Sequence, residues 1–164
     1  MLCVFSAHGQ LAADYYNSAV SKMRLGNLQG ALQDFNKAIE MKPKFGYAYC
    51  YRGTIKCYLR DSLGAIEDYN IALRLNPEDG NSFSGRGCVR CGIGDFKGAI
   101  EDLNKAIALN PNDAAAYFSR GMARINTVHL DAGCEDLQMA MKLGDSRAAE
   151  AVKKYCTDPQ VMPE

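Results

Sequence analysis

The chain has 164 residues, with 19 lysine and arginine residues against 19 aspartate and glutamate residues. Because these charges balance, the chain lacks the global cationic field that is typical of nucleic-acid-binding proteins, and we expect no nucleic-acid partner. No apolar run approaches the roughly 18 residues that a membrane-spanning helix needs, so no membrane span is predicted.

The chain begins with MLCVFSAHGQLAA, in which a short apolar run precedes Ala7, His8 and Gly9. Small residues at this spacing suit a signal peptidase, but the run lacks a charged n-region and is shorter than the roughly 7 to 15 residues of a complete signal. Residues 1–11 are therefore interpreted either as a frayed terminus or as the tail of a longer leader. If Met1–Gly9 is the end of a signal peptide, the protein is exported and a periplasmic assembly factor is one reading of its function.

One stretch of sequence recurs four times at a fixed spacing, with copies that start at Asn27, Asp61, Asp95 and His129. The third copy reads DFKGAIEDLNKAIALNP. A fixed period of this kind predicts an array of stacked units, each of which buries its apolar surface against its neighbours. With this stretch at the end of each unit, the repeats span residues 12–45, 46–79, 80–113 and 114–147.

Each repeat is predicted to contain two helices. In the first helix, an aromatic residue at position 4 and a very small residue at position 8 share a face, which leaves a gap for another helix. In the second helix, small residues at positions 20 and 27 flank a bulky residue at position 24 and form a close-packing seam. The second helices are predicted to begin after Asn27, Asp61 and Asp95 and to end before Pro43, Pro77 and Pro111.

The segment after the last repeat reads DSRAAEAVKKYC and places Ala148, Val152, Tyr155 and Cys156 on one face. This amphipathic pattern predicts a capping helix over residues 146–157, because a repeat array must cover its last apolar face. The proline-containing tail, residues 158–164, is predicted to be disordered.

The 34-residue period, with an aromatic residue at position 4, small residues at 8 and 20, an aromatic or leucine at 24, alanine at 27 and proline at 32, resembles the tetratricopeptide repeat (TPR) family. The resemblance covers residues 12–147, and the fourth repeat departs most, with Asp145 in place of proline. It implies an all-α, right-handed α-solenoid of four TPR helix-turn-helix repeats plus a C-terminal capping helix. It also implies a non-catalytic protein-interaction module or adaptor.

In the TPR family, positions 2, 5, 9 and 12 of the first helices line a concave groove that binds peptides or other partners. We call these positions the first-helix face. They are Ala13, Tyr16, Val20 and Met23; Tyr47, Cys50, Thr54 and Cys57; Asn81, Ser84, Cys88 and Cys91; and Ala115, Phe118, Met122 and Ile125. The alternative for the smaller of these side chains is that they pack between adjacent first helices.

The first-helix face contains no lysine or arginine. TPR domains that clamp the acidic C-terminal motif of chaperones need cationic and asparagine groups at positions 2, 5, 6 and 9, and this partner class is therefore not expected. In this chain, the residues at those positions include Tyr16, Val20, Tyr51, Asn81 and Gly85. We expect instead an apolar or amphipathic segment of another protein, anchored by Tyr16, Tyr47 and Phe118.

Seven cysteines are present: Cys3, Cys50, Cys57, Cys88, Cys91, Cys134 and Cys156. Their spacing matches no disulfide framework of small secreted proteins, so they are interpreted as reduced, which favours a cytoplasmic location. The C-x-x-C pair of Cys88 and Cys91, which Cys50 and Cys57 could complete as a set of four, leaves a thiol redox or metal-binding protein as an alternative.

No catalytic residues, resident metal or cofactor are predicted. The two histidines, His8 and His129, do not lie beside a nucleophile in any repeat, and no phosphate-binding glycine loop is present. The chain is therefore not expected to be an enzyme.

Position 23 is aspartate in all four repeats, and position 7 is arginine in the last three. We predict that each aspartate pairs with the basic residue at position 7 of the next repeat, as Asp68 with Arg86. The rule also pairs Asp136 with Lys154 and leaves Ser18, in the first repeat, without a partner. The alternative is a nucleic-acid-binding stripe formed by Arg52, Lys56, Arg86, Arg90, Arg120 and Arg124. It is weakened by the acidic residues at positions 22 and 23.

Overall fold

A computed structural model describes the backbone of residues 2–156 and the side chains of residues 9–156. Within this range the chain forms nine α-helices and no strand. They are α1 (Leu2–Arg24), α2 (Leu28–Met41), α3 (Gly46–Tyr58), α4 (Ser62–Leu75), α5 (Gly80–Gly92), α6 (Phe96–Leu109), α7 (Ala114–Ile125), α8 (Leu130–Lys142) and α9 (Ala148–Cys156). The tail predicted to be disordered and the side chain of Cys3 lie outside the described residues.

The helices fall into two compact units, Met1–Ser82 and Phe83–Glu164, with the boundary inside α5. In the first unit, α1 packs against α2, α2 against α3, and α3 against α4. In the second unit, α6 packs against α7, α7 against α8, and α8 against α9. No helix in the described range is both long enough and apolar enough to span a bilayer.

The predicted limits of the second helices are confirmed. Helices α2, α4 and α6 begin after Asn27, Asp61 and Asp95, whose side chains each accept a hydrogen bond from the third backbone N–H of the helix. This contact satisfies a donor that the helix itself cannot pair. The same three helices end two residues before a proline, at Met41, Leu75 and Leu109.

The predicted gap at position 8 accepts the side chain at position 24 of the same repeat. A Cβ atom added to Gly87 would lie 2.7 Å from Cγ of Leu103. At Gly121 an added Cβ would lie 2.9 Å from the backbone oxygen of Gly133 and 3.0 Å from Cγ of Leu137. The two helices of a repeat therefore pack at a distance that only a very small residue allows.

The turn between the two helices of each repeat contains one residue with a left-handed backbone. This residue is at position 15 in every repeat, with φ values of +78° at Gly26, +66° at Arg60, +83° at Gly94 and +58° at Val128. Glycine adopts this conformation without a steric penalty, whereas a β-branched residue such as Val128 does not.

The predicted capping helix is present as α9, which packs on α8 and buries Ala148 and Ala151. It also brings Cys156 against Cys134, and the two form a disulfide with their Cα atoms 5.6 Å apart. The interpretation of all cysteines as reduced is therefore wrong for this pair, because the folding of α9 onto α8 joins residues that the sequence separates by 22 positions. Since disulfides persist in oxidising compartments, the pair also weakens the argument for a cytoplasmic location.

At the other end, α1 begins at Leu2. Most of the segment interpreted as a leader or frayed terminus is thus continuous with the first helix of the first repeat. Whether Met1–Gly9 ends a longer signal peptide stays a prediction.

Candidate protein-interaction surface

The recurring charges at positions 7, 11 and 23 form ion pairs inside each repeat. Arg52 donates to both carboxylate oxygens of Asp68, at 2.7 and 2.8 Å, and Lys56 lies 2.9 Å from the same carboxylate. Equivalent pairs join Asp102 to Arg86 and Arg90, and Asp136 to Arg120 and Arg124. The predicted pairing of each aspartate with the next repeat is wrong, because the two helices of one repeat place positions 7 and 23 side by side.

In the first repeat, the aspartate at position 23 is also bonded by the residues at positions 7 and 11, but these are a serine and a lysine. Asp34 accepts hydrogen bonds of 2.6 Å from both the Ser18 hydroxyl and the Lys22 ammonium, so Ser18 has the partner that the prediction denied it. Burial opposes ionisation of this carboxyl, but the bonds from Lys22 and Ser18 outweigh it and hold the pKa of Asp34 below its ordinary value. Lys154, predicted to pair with Asp136, lies instead over the ring of Tyr155.

Neighbouring repeats are joined by hydrogen bonds from an arginine to an uncharged asparagine. Arg52 donates through Nη1 to Oδ1 of Asn36 at 2.8 Å, and Arg120 donates to Asn104 at 2.7 Å. Each asparagine is at position 25 of the preceding repeat. These arginines are thus occupied by structural partners, which argues against their use as a nucleic-acid stripe.

On the first-helix face of the first unit, Tyr16 belongs to an aromatic cluster. Its ring centroid lies 4.9 Å from that of Phe45 and 5.8 Å from those of Phe35 and Tyr51. Burial, together with the neighbouring Tyr51, raises the pKa of Tyr16 to about 12. Val20 and Met23 also pack against the core of this unit. Much of the surface of Tyr16 is therefore used inside the protein.

Along α3 the same face is exposed at its first residue, buried at the second and half-buried at the last two. Tyr47 is 57% exposed, whereas Cys50 is 5% exposed, and burial with the nearby Asp79 carboxylate raises the pKa of the Cys50 thiol to about 12. Thr54 is half-buried, with its hydroxyl 3.1 Å from that of Tyr69. Further along the face, Cys57 is half-buried and Asn81 is exposed.

In the second unit, the face includes both thiols of the C-x-x-C pair. Cys88 is exposed, whereas Cys91 is half-buried and donates through Sγ to the backbone oxygen of Ser119 at 3.4 Å. Burial, then the neighbouring Cys88, raises the pKa of Cys91 to about 12. Among the described residues, no three His, Cys, Asp or Glu side chains gather at a spacing that could hold a metal ion.

Of the remaining face residues of the second unit, Ala115 is exposed and four are half-buried: Ser84, Phe118, Met122 and Ile125. Ile125 lies directly beside Gly133 of α8, where an added Cβ would come within 2.7 Å of its side chain. The guanidinium of Arg147 lies 4.1 Å from the centroid of the Phe118 ring, at cation–π distance. A cation therefore covers part of this face although the face sequence contains none.

The Phe118 contact belongs to a relation that the sequence analysis missed. In three of the four repeats the residue at position 34 lies against the residue at position 5, as Phe45 does on Tyr16 and Arg147 on Phe118. Asp79 and Cys50 interact in the same way in the second repeat. The sequence signal for this relation was the combination of residue types at positions 5 and 34. These combine a ring with a ring, a thiol with a carboxylate and a ring with a cation.

Two cavities in the first unit lie at opposite ends of α3. The turn cavity has a volume of about 410 Å³ and is lined by Met23, Gly26, Leu28, Thr54 and Tyr58. The junction cavity has a volume of about 320 Å³ and is lined by Lys42, Lys44, Phe45, Gly46, Tyr47, Leu75, Asn76 and Asp79. The sequence pointed to Met23, Thr54 and Tyr47, but it did not single out Tyr58 or the lysines.

Paired helices at a regular period, with a polar contact inside each pair, define an all-α helical-repeat protein. Two family models match the chain: a TPR repeat model over residues 89–125 and a tetratricopeptide repeat model over residues 15–45. The two matches support a protein of the tetratricopeptide repeat family. No curated protein matches it significantly.

Solved TPR structures have the same fold. MamA from Desulfovibrio magneticus RS-1, residues 41 to the end, is 23% identical, with a TM-score of 0.77 over 88% of this chain and 82% of that one. YrrB, described as a TPR protein with an unusual peptide-binding site, is 26% identical, with a TM-score of 0.69 over 87% and 78%. The first TPR of Spaghetti (RPAP3), bound to the HSP90 peptide SRMEEVD, is 20% identical, with a TM-score of 0.70 over 73% and 94%. These likenesses confirm the predicted fold class.

Proposed function

We propose that the protein is a non-catalytic adaptor that holds an apolar or amphipathic segment of a partner protein at the turn cavity. The TPR fold is that of a protein-interaction module, and among the similar structures YrrB is described with a peptide-binding site and the first TPR of Spaghetti (RPAP3) is bound to a peptide. The observation that carries the proposal is the lining of the turn cavity, which contains Met23, Leu28 and Tyr58 and no charged residue.

The exposure of the surrounding side chains supports this site. Tyr58 is 68% exposed and Leu25, at the adjoining turn, is 84% exposed. Apolar side chains that face water around a concave, uncharged cavity favour an apolar occupant, because its burial removes the same surface from water. A partner held in this way binds with little dependence on salt.

The test is capture of partner proteins from the native host by the immobilised full-length chain. Tyr58→Ala should reduce recovery of the specific partner about tenfold, since aromatic side chains carry a large share of interface energy. Leu109→Ala is the matched control: Leu109, in α6, is 45% exposed but does not line this cavity, and its variant should capture normally.

The salt dependence is measured in the same experiment. Recovery should change little between low and moderate salt. Capture that survives Tyr58→Ala but is lost in moderate salt would contradict the turn-cavity proposal.

A further inference from the structure

We propose that the junction cavity is a second docking site, which binds an acidic peptide segment carrying an apolar side chain beside its carboxylates. This goes beyond the function proposed above, because the site lies at the opposite end of α3 and selects a ligand of different charge. It stands or fails independently of the turn cavity.

The walls of the junction cavity suit an apolar side chain. Phe45, Tyr47 and Leu75 line it, and the last two remain 57% and 38% exposed in the folded chain. Its volume of about 320 Å³ is at the lower end of the roughly 300 to 1,000 Å³ of ligand pockets. The cavity therefore accommodates one or two side chains of a longer segment.

The charge at the rim of this cavity selects for an anion. Lys42 and Lys44 are both exposed, and within the described part of the chain neither forms an ion pair with a carboxylate. Lys42 is placed over the wall of the cavity, with Nζ 4.7 Å from the centroid of the Phe45 ring. These cations differ from those at positions 7 and 11, which aspartates already neutralise.

The acidic group in the lining does not cancel this preference. Asp79 is 7% exposed, and its carboxylate accepts a 2.5 Å hydrogen bond from the Ser82 hydroxyl. Its charge is thus held by partners inside the protein. With two lysines against one aspartate, the lining carries one net positive charge.

The same features favour a peptide over the other anionic macromolecules. Recognition of an anionic membrane typically uses clusters of about 4 to 8 lysines and arginines, and nucleic acids need a track of cations along the phosphates. Two lysines beside a small aromatic-walled cavity provide neither. They match one apolar side chain flanked by carboxylates, for which electrostatic complementarity gives selectivity.

The test is fluorescence anisotropy with the full-length chain and a fluorescein-labelled peptide of sequence GDEFDEG. Lys42→Glu combined with Lys44→Glu should weaken binding about tenfold. Lys97→Glu combined with Lys142→Glu makes the same charge change at two exposed lysines of the second unit and should alter binding less than about twofold. Circular dichroism verifies that both double variants are folded.

Two matched peptides test separately the contribution of the apolar side chain and that of the carboxylates. GDEADEG, without the ring, and GNQFNQG, without the charges, should each bind about fivefold more weakly than GDEFDEG. Amide resonances of Gly46, Tyr47 and Asn76 should shift on titration, and Tyr58→Ala should leave the affinity unchanged. Equal affinity of the Lys42/Lys44 double variant and the unmodified chain would overturn the proposal. Lysine-dependent binding of an oligothymidylate or a phosphatidylserine vesicle in preference to GDEFDEG would also overturn it.

Discussion

Arg52 donates to both carboxylate oxygens of Asp68 from the neighbouring helix of the same repeat. The carboxylate side chain is only 2% exposed, and it also receives Lys56, whose side chain is 21% exposed. The two helices of the second repeat are thus joined through one buried anion that serves two cations.

Asp68→Ala should lower the free energy of unfolding by about 3 to 5 kcal/mol, because it leaves Arg52 and Lys56 without their buried partner. Urea denaturation provides the measurement. Glu67→Ala, at the exposed adjacent position, should change stability by less than about 0.5 kcal/mol. An absence of coupling in a double-mutant cycle of Arg52 with Asp68 would contradict this role.

Gly121→Ala should destabilise the protein by about 1 to 3 kcal/mol, since the added methyl group meets the Gly133 backbone oxygen at 2.9 Å. The backbone of α8 cannot yield as a flexible side chain does. Gly92→Ala is the control, because nothing lies within 4 Å of its added Cβ. Thermal denaturation should show a lower Tm for the first variant alone, and equal Tm values would refute the close approach of the two helices.

Val128→Gly should stabilise the protein by about 1 kcal/mol, even though it removes a side chain. Val128 has a φ of +58° and is 78% exposed, so the substitution relieves a left-handed conformation and loses little packing. The reciprocal change, Gly94→Val, places a β-branched residue at a φ of +83° and should destabilise. Chemical denaturation of both variants tests whether position 15 follows this rule.

Thiol reactivity should follow burial. Iodoacetamide at neutral pH should modify the exposed Cys88 first, and Cys50 and Cys91, with pKa values of about 12, only after unfolding. Peptide mapping by mass spectrometry reports the order. Rapid modification of Cys50 in the folded protein would show that it is accessible.

The raised pKa of Cys50 also has a consequence for stability. The ordinary pKa of an unfolded cysteine is about 8.5. The contribution of the Cys50 thiol to the free energy of unfolding is therefore complete below that pH and decreases as the pH rises toward 12. The advantage in Tm of the unmodified chain over Cys50→Ala should therefore shrink between about pH 8.5 and pH 11.

The Cys134–Cys156 disulfide should hold the capping helix on the last repeat. For the 22-residue separation, chain-entropy arguments give about 3 kcal/mol. Cys134→Ser combined with Cys156→Ser should therefore increase amide hydrogen exchange in α9, with smaller effects in α2. Unchanged exchange in α9 would mean that the packing of Ala148 and Ala151 alone is sufficient.

Features that repeat in sequence were predictable from sequence. The helix starts at Asn27, Asp61 and Asp95 follow from side-chain capping, which acts within one turn. The gap at Gly121 follows from its spacing to the seam of the second helix. Both depend on local geometry that the repeat period reproduces in each copy.

The sequence was less informative about which basic residue each buried aspartate pairs with. Asp68 lies almost midway along the chain between Arg52 and Arg86, and the sequence alone does not say which of the two it faces. The disulfide was missed because it depends on how α9 folds back onto α8. The junction lysines were missed because Lys42 and Lys44 occur in the first repeat alone and so lie outside the repeating pattern.

The placement of each buried aspartate beside the cations of its own repeat bears on how such a chain lengthens in evolution. Tandem duplication or loss of the coding segment for one repeat brings or removes the anion together with its cations. Besides the apolar packing between repeats, the new boundary changes a hydrogen bond from an arginine to an uncharged asparagine, such as that of Arg120 with Asn104. Copy number can thus drift among descendants of this gene without leaving a buried charge unpaired.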